Sequence, residues 1–198
     1  MSKYEHKFKD GKQEEEMDDT EFYEIMEHGK FYKHKRDKAF LVLLYYTGCR
    51  VGEIIRLRKQ HFTLDKDALY VYVEPEKHGK KRTSFKIPNA LPYVDRLIGY
   101  VELRQRVRNP LVFSFTRQTA WNIVKRVLPQ KYPHYFRLNR TVKMMNDPEI
   151  SDGMIMQWMS WKSSKTMDHY RGYSRQAVDD VSDRMVATTK PLEQESPE

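Results

Sequence analysis

Residues 68–88 read ALYVYVEPEKHGKKRTSFKIP and carry the strand-like pattern of this chain. Apolar side chains alternate with polar or aromatic ones from Leu69 to Val73, a period of two that indicates a half-buried strand. Residues 82–87 can pair back across a turn at His78-Gly79, with residues 62–65 as a further edge strand. We therefore expect one antiparallel hairpin or small sheet at this point of the chain.

Helical spacing of apolar residues dominates the sequence on both sides of the hairpin. Asp18, Asp19 and Thr20 are N-cap residue types that precede a first helix. Further helices are predicted over residues 34–46, 53–57, 90–107, 116–128, 134–146, 152–159, 163–171 and 175–187. Such a run of helices with one small sheet indicates a mostly α domain of the α+β class. We expect the domain to span residues 20–188, between a disordered acidic lead-in over residues 1–19 and a disordered tail over residues 189–198.

The composition of the 198 residues limits the class of protein. A hydrophobic fraction of 39% and an aromatic fraction of 13% are enough for a packed core. The longest apolar run, from Ala39 to Tyr46, is far shorter than the ~20 residues of a membrane helix. The N-terminus is too polar for a signal peptide. A single cysteine, Cys49, excludes an internal disulfide and a cysteine-based zinc site, so we expect a protein of the reducing cytoplasm.

The charges are unevenly placed along the chain. The formal net charge is +8, but residues 28–189 hold 31 Lys and Arg against 15 Asp and Glu, a net charge of +16. A domain this basic is expected to attract a polyanion, and nucleic acid is the commonest one. A solvated basic surface without a partner is the simpler alternative.

Two short segments place an arginine near a second group that can position its side chain or transfer a proton beside it. Residues 47–54 read TGCRVGEI, so Glu53 follows Arg50 by three residues and could hold its guanidinium fork towards a phosphate. Residues 134–137 read HYFR, and a histidine next to a phosphate-binding arginine can move protons near neutral pH. Each segment alone is also consistent with an ordinary structural pair or a chance spacing on a basic helix.

Taken in order, these segments resemble the active-site boxes of the tyrosine recombinases, the phage-type integrases. Residues 47–54 resemble the first arginine box with its downstream acidic residue, and residues 134–137 resemble the second box. Trp161 is similar in position to the family's His-or-Trp, and Tyr170 follows nine residues later, where the family places its nucleophile. The resemblance extends from about Thr20 to Val186 and implies the helical catalytic domain of a DNA breaking and rejoining enzyme.

The resemblance implies a reaction that needs no metal and no other cofactor. Arg50 and Arg137 would bind the scissile phosphate, and Trp161 would donate a hydrogen bond to it. His134 would assist proton transfer with Tyr170, which would attack phosphorus to leave a 3′-phosphotyrosyl bond and a 5′-hydroxyl. A hairpin lysine would protonate the leaving oxygen. Cationic surroundings favour the phenolate form of the nucleophile.

Two of these assignments have alternatives. Lys77 is favoured as the hairpin lysine because it directly precedes the predicted turn, whereas the spacing from the end of the hairpin favours Lys80. Tyr173 lies three residues after Tyr170 on the same predicted helix face and is the alternative nucleophile.

Double-stranded DNA is the expected partner, and a membrane is not. The candidate DNA-binding residues, which could contact bases or only phosphates, are Arg56, Arg58, Arg117, Lys125 and Arg126. The resemblance also implies self-association on DNA, as a tetramer linked through the predicted helix over residues 175–187, although that helix could instead fold back on its own domain.

Site-specific recombination, for integration, excision or resolution of mobile DNA, is the leading functional interpretation, in a prokaryotic or viral setting near the nucleoid. A catalytically silent DNA-binding module of the same fold is one alternative, and a type IB topoisomerase is another. An RNA-binding protein would explain the charge alone. Integrases usually carry a separate N-terminal domain that clamps the duplex, and only residues 1–19 precede the predicted domain here.

Overall fold

The structure is a computed structural model that describes Met17 and residues 19–28, 34–74 and 84–171. Lys77, Lys80, Tyr173 and the predicted helix over residues 175–187 lie outside these described residues. The helices are α1 (Asp19–His28), α2 (Lys35–Thr47), α3 (Val51–Ile54), α4 (Val94–Gln105), α5 (Arg117–Val127), α6 (His134–Met145), α7 (Asp152–Met159) and α8 (Lys165–Arg171). The strands are β1 (Phe62–Leu64), β2 (Ala68–Val71) and β3 (Phe85–Pro88). Among the described helices, none is long and apolar enough to cross a bilayer.

The three strands form one antiparallel sheet in the order β1-β2-β3. Phe62 pairs with Val71 across the first two strands, and Leu69 pairs with Ile87 across the second two. The paired apolar side chains are buried, whereas Lys86 between Phe85 and Ile87 is exposed. The predicted fold, mostly helical with a small antiparallel sheet, is confirmed, and the predicted edge strand is present as β1.

Helix α2 runs through the centre of the domain. Its residues from Ala39 to Thr47 are all buried. Helices α4 and α6 pack along it, and Phe22 of α1 stacks on Tyr45 with ring centroids 3.7 Å apart. The sequence pattern predicted a single core-facing side that includes Phe40 and Leu44. Because three helices cover α2, its other sides are buried as well.

Ordered packing begins before the expected domain boundary. Met17 is fully buried, and its backbone N–H donates a hydrogen bond to Oδ1 of Asn139 at 2.8 Å. Asp19 is the first residue of α1, and its carboxylate accepts hydrogen bonds from the Tyr45 hydroxyl and the Lys143 ammonium group. The expected disordered lead-in over residues 1–19 therefore does not extend over Met17 and Asp19, because both contact the core helices.

Left-handed backbone or a side-chain cap sets the ends of several helices. Tyr93 has a φ of 62°, so α4 begins at Val94 rather than near residue 90. Ser160 has a φ of 55° and ends α7 directly after Met159, as predicted. Helix α5 begins after Thr116, whose hydroxyl accepts a hydrogen bond from the Thr119 N–H at 3.2 Å. The ends of α2 and α7 meet near one point of the molecule, and the candidate site is built there.

Candidate active site

Helix α2 ends at Gly48, which turns the chain towards the first arginine box. Gly48 has a φ of 61°, and its N–H donates to the Leu44 carbonyl oxygen at 2.9 Å. A Cβ atom at this position would lie 3.0 Å from Cβ of Arg140. Both the left-handed backbone and the close approach of α6 therefore require glycine. The turn carries the chain from the buried α2 to Arg50 at the surface.

Glu53 fixes Arg50 at the start of α3. Oε2 of Glu53 accepts a hydrogen bond from the Arg50 backbone N–H at 2.8 Å, and Oε1 lies 3.2 Å from Nη1 of the same residue. The Glu53 carboxylate is fully buried, whereas the Arg50 side chain is 42% exposed. Glu53 thus contacts both the backbone and the guanidinium of Arg50, and the guanidinium is accessible from solvent.

Arg137 joins the C-terminal ends of two helices. Its Nη1 donates to the Gly48 carbonyl oxygen at 2.9 Å, and its Nη2 donates to the Met159 carbonyl oxygen at 2.8 Å. The whole residue is 1% exposed. A buried guanidinium is tolerated here because helix C-termini present unpaired carbonyls and partial negative charge. Arg137, on α6, therefore links the C-terminal ends of α2 and α7 next to the turn that leads to Arg50.

Tyr170 lies between an aromatic ring and a histidine. Its ring stacks on the Trp161 ring with centroids 4.9 Å apart and planes inclined by 27°. Its hydroxyl oxygen lies 3.2 Å from Nε2 of His134, within hydrogen-bond distance. Cζ of Arg137 lies 5.8 Å from the centroid of the Trp161 ring. Tyr170 and Trp161 are 5% and 4% exposed.

The structure brings His134, Arg137, Trp161 and Tyr170 together, with one difference from the expected geometry. His134 and Arg137 were expected to project to the same place from one face of α6. In the structure His134, at the first turn of α6, is exposed and contacts Tyr170, whereas Arg137 is buried under Trp161. The stacked Trp161–Tyr170 pair connects the two side chains, since Tyr170 contacts His134 and Trp161 lies beside Arg137.

Trp158 and Arg140 support the candidate site, although the sequence pattern did not identify either of them. Nε1 of Trp158 donates to the Thr47 carbonyl oxygen at 3.0 Å, and its ring packs edge-on against Phe85 of the sheet. Cζ of Arg140 lies 5.6 Å from the Trp158 ring centroid. Burial lowers the pKa of the Arg140 guanidinium below its usual range. The i, i+3 spacing of Arg140 from Arg137 predicts only that the two arginines share a face of α6.

The candidate DNA-binding residues occupy the surface beyond this site. Arg117 begins α5 and is exposed, and Nζ of Lys125 donates to the Pro129 carbonyl oxygen at 2.9 Å while lying 5.4 Å from the exposed Trp121 ring. Nη1 of Arg126 lies 3.7 Å from Oδ2 of Asp37 on α2. Arg56 and Arg58 follow α3 and are also exposed. Helix α5 packs against α3, the short helix that follows Arg50.

Comparison with known proteins identifies the family. The phage integrase family matches residues 15–176, so this chain belongs to that family. Two curated relatives are the tyrosine recombinase XerD proteins of Vibrio vulnificus strains YJ016 and CMCP6. Each is 34% identical over 98 residues, which cover 46% of this chain and 31% of the relative. The matched part therefore spans less than a third of these relatives.

Solved structures share the fold. The XerH site-specific recombinase bound to palindromic difH substrate, in a post-cleavage complex, matches with a TM-score of 0.66 at 16% identity, over 86% of this chain and 53% of that one. The XerA recombinase matches with a TM-score of 0.61 at 20% identity, over 86% of this chain and 65% of that one. At these identities the likeness establishes a shared architecture.

Proposed function

We propose that this chain is a site-specific DNA recombinase that cleaves and rejoins DNA strands through a covalent bond to Tyr170. The observation that carries the proposal is the 3.2 Å separation between the Tyr170 hydroxyl and Nε2 of His134, beside the stacked Trp161 ring. Membership of the phage integrase family supports it. The XerD relatives are named tyrosine recombinases, and the XerH neighbour was solved with a difH substrate in a post-cleavage complex. Together they make DNA the expected substrate.

In this proposal the cations of the site neutralise the scissile phosphate. Arg50 presents a half-exposed guanidinium held by Glu53, in a geometry suited to the non-bridging phosphate oxygens. Arg137 contributes its buried positive charge beneath Trp161. Its hydrogen bonds to two backbone carbonyls also hold the ends of α2 and α7 in position. Charge that builds on phosphorus in the transition state is stabilised by such fixed groups more than by water.

The proposed reaction is a transesterification in two mirrored steps. The Tyr170 oxygen forms a bond to phosphorus as the bond from phosphorus to the 5′ oxygen breaks, and the phenolic proton passes to His134. The 5′ oxygen takes its proton from a hairpin lysine, for which Lys77 and Lys80 remain the candidates. Attack by a 5′-hydroxyl then reverses the step and restores a phosphodiester, so bond energy is conserved.

A trapped covalent adduct tests this function. Duplexes that the protein selects from a random-sequence pool are prepared with a nick close to the cleavage position, so that the cleaved fragment diffuses away. Wild type is expected to form a protein–DNA adduct that survives denaturing electrophoresis, and Tyr170→Phe is expected to form none. Tyr173→Phe is the matched control and is expected to retain the adduct. Tight binding by wild type without any adduct would instead support the DNA-binding module.

Supercoil relaxation and strand exchange separate the remaining alternatives. A recombinase is expected to join strands from two duplexes that carry the selected site, whereas a type IB topoisomerase would relax supercoiled plasmid without one.

We further propose that protomers assemble on DNA through the predicted helix over residues 175–187. This segment has an apolar stripe with the spacing of a helix that packs on a neighbour, formed by Val178, Val181 and Met185. Replacement of Val181 by Lys is expected to prevent assembly beyond one protomer per site, as measured by sedimentation with site DNA.

A further inference from the structure

A buried carboxylate holds two arginines at the far end of α2 from the candidate active site. Asp37 is 1% exposed. Its Oδ1 accepts a hydrogen bond from Nε of Arg36 at 2.7 Å, and its Oδ2 lies 3.7 Å from Nη1 of Arg126 on α5. Asp37 thus connects the first turn of α2 to the last turn of α5.

Both guanidinium groups lie beside Asp37 and remain accessible. The side chains of Arg36 and Arg126 are 39% and 43% exposed. Cζ of Arg36 also lies 5.1 Å from the Phe115 ring centroid, and Phe115 packs edge-on against Phe40 of the core. Arg36 is therefore held by a carboxylate and by an aromatic ring, which reduces the entropy lost when its remaining donors bind a ligand.

The cluster presents donors that suit an anion. Two planar guanidinium groups lie beside one carboxylate and are partly exposed. Each guanidinium carries five N–H donors in a geometry that fits a phosphate. The cluster has the chemistry of a phosphate-binding site.

The position of the cluster fits a DNA backbone that also reaches the candidate active site. Helix α2 has 13 residues and so a length of about 20 Å. At 3.4 Å per base pair, that length corresponds to about six base pairs of B-DNA. Helix α5 bridges the two places, because it packs on α3 next to the Arg50 turn and carries Arg126 in its last turn.

We propose that Arg36 and Arg126 bind a backbone phosphate of the DNA some six base pairs from the scissile one, and that Asp37 is the positioning residue that orients both. This inference rests on the proposed function, since it assumes the same DNA substrate. The alternative is that both arginines only neutralise Asp37.

The salt dependence of DNA binding tests the two arginines. The binding constant of the selected duplex is measured from 50 to 300 mM NaCl for wild type, Arg36→Gln and Arg126→Gln. Each variant is expected to bind roughly tenfold more weakly at low salt, with a log–log salt slope smaller by about 0.9. Arg108→Gln is the matched control, an exposed arginine after α4 with the same change of charge. A slope equal to wild type in both variants, or an equal loss in Arg108→Gln, overturns the proposal.

Replacement of the Asp37 carboxylate distinguishes its effect on the orientation of the two arginines from its effect on net charge. Asp37→Asn adds one unit of positive charge, so a net-charge effect would tighten DNA binding. The proposal predicts weaker binding and a reduced salt slope, because the arginines lose their anchor. Asp95→Asn is the control: Asp95 also lies beside an arginine, 3.4 Å from Nε of Arg96, but is exposed, and its removal is expected to tighten binding slightly.

If Asp37→Asn binds DNA more tightly than wild type, the positioning role is excluded. If Asp37→Asn does not fold, the two arginine variants, which alter exposed side chains, still decide the question. If wild type itself shows no salt-dependent DNA binding, the proposed function fails. Normal wild-type binding with unchanged slopes in both arginine variants overturns only this inference.

Discussion

The hydroxyl oxygen of Tyr170 lies 3.2 Å from Nε2 of His134, although the two residues belong to different helices and are 36 positions apart in the chain. Helix α8 packs on α6, which brings the two side chains together. The contact places an imidazole nitrogen within hydrogen-bond distance of the phenol, and the Trp161 ring stacks on the Tyr170 ring. This geometry is the basis of the proposed reaction.

Removal of His134 is expected to slow covalent adduct formation without loss of DNA binding. His134→Ala lacks the proton acceptor, and general acid–base groups contribute roughly 10²- to 10⁴-fold to rates. The single-turnover rate of adduct formation on the nicked duplex measures the effect at saturating DNA. His34→Ala is the control, because His34 is an exposed histidine that makes no side-chain capping bond. A rate within twofold of wild type in His134→Ala would contradict the proposed role.

Substitution of Trp161 distinguishes hydrogen bonding from stacking. Trp161→Phe keeps a ring against Tyr170 but has no N–H donor for a phosphate oxygen. We expect the adduct rate to fall by roughly 10²- to 10³-fold, the usual effect of removing one such donor. The free energy of unfolding is expected to fall by only about 1–3 kcal/mol, from the smaller ring. Urea denaturation and single-turnover kinetics give the two values. An unchanged rate would mean that Trp161 acts through packing alone.

A methyl group at Gly48 is expected to destabilise the protein. Gly48→Ala must adopt a φ near 61° and places Cβ 3.0 Å from Cβ of Arg140. The strain should lower the free energy of unfolding by about 1–3 kcal/mol in urea titrations. Gly99→Ala is the matched comparison, since its Cβ would meet no atom within 4 Å in the middle of α4. That variant is expected to gain about 0.5–1 kcal/mol. Equal effects at the two sites would argue against the strained turn.

Alkaline pH is expected to destabilise the packing of α1 on α2. Burial raises the pKa of Tyr45, with a further contribution from its hydrogen bond to Asp19, and burial also raises the pKa of Tyr46. Both phenols hold their protons more tightly in the folded state than in the unfolded state. Their contribution to stability is therefore complete below the unfolded value near pH 10 and is lost as the pH rises beyond it.

Urea midpoints measured from pH 8 to 12 test this dependence. Wild type should lose stability steadily above about pH 10, and Tyr46→Phe should lose less, because it removes one of the titrating groups. Tyr72→Phe is the control, since Tyr72 is 40% exposed and follows β2. A decline of the same steepness in wild type and Tyr46→Phe would contradict the assignment.

Local patterns in the sequence predicted much of this fold and part of the candidate site. The alternation in β2, the helical spacing of α5 and α7, and the Arg50–Glu53 pair depend on neighbouring residues, so a single sequence contains them. The partners of Arg137 could not be predicted, because they are backbone carbonyls 89 and 22 residues away and any residue type supplies a carbonyl.

The Asp37–Arg126 contact was not predictable for a related reason. Its two residues lie on helices that meet only in the folded domain. A charged residue in the first turn of a helix normally suggests a solvated surface, and only the packing of α5 shows that this carboxylate is buried.

The identity of the tyrosine that becomes linked to DNA is the most direct test of the central claim. Trypsin cleaves after Lys165, Arg171 and Arg175, so Tyr170 and Tyr173 fall on separate peptides, residues 166–171 and 172–175. After nuclease trimming of the trapped adduct, mass spectrometry should find the nucleotide remnant on the peptide 166–171. A remnant on the peptide 172–175, or on neither peptide, would contradict the account.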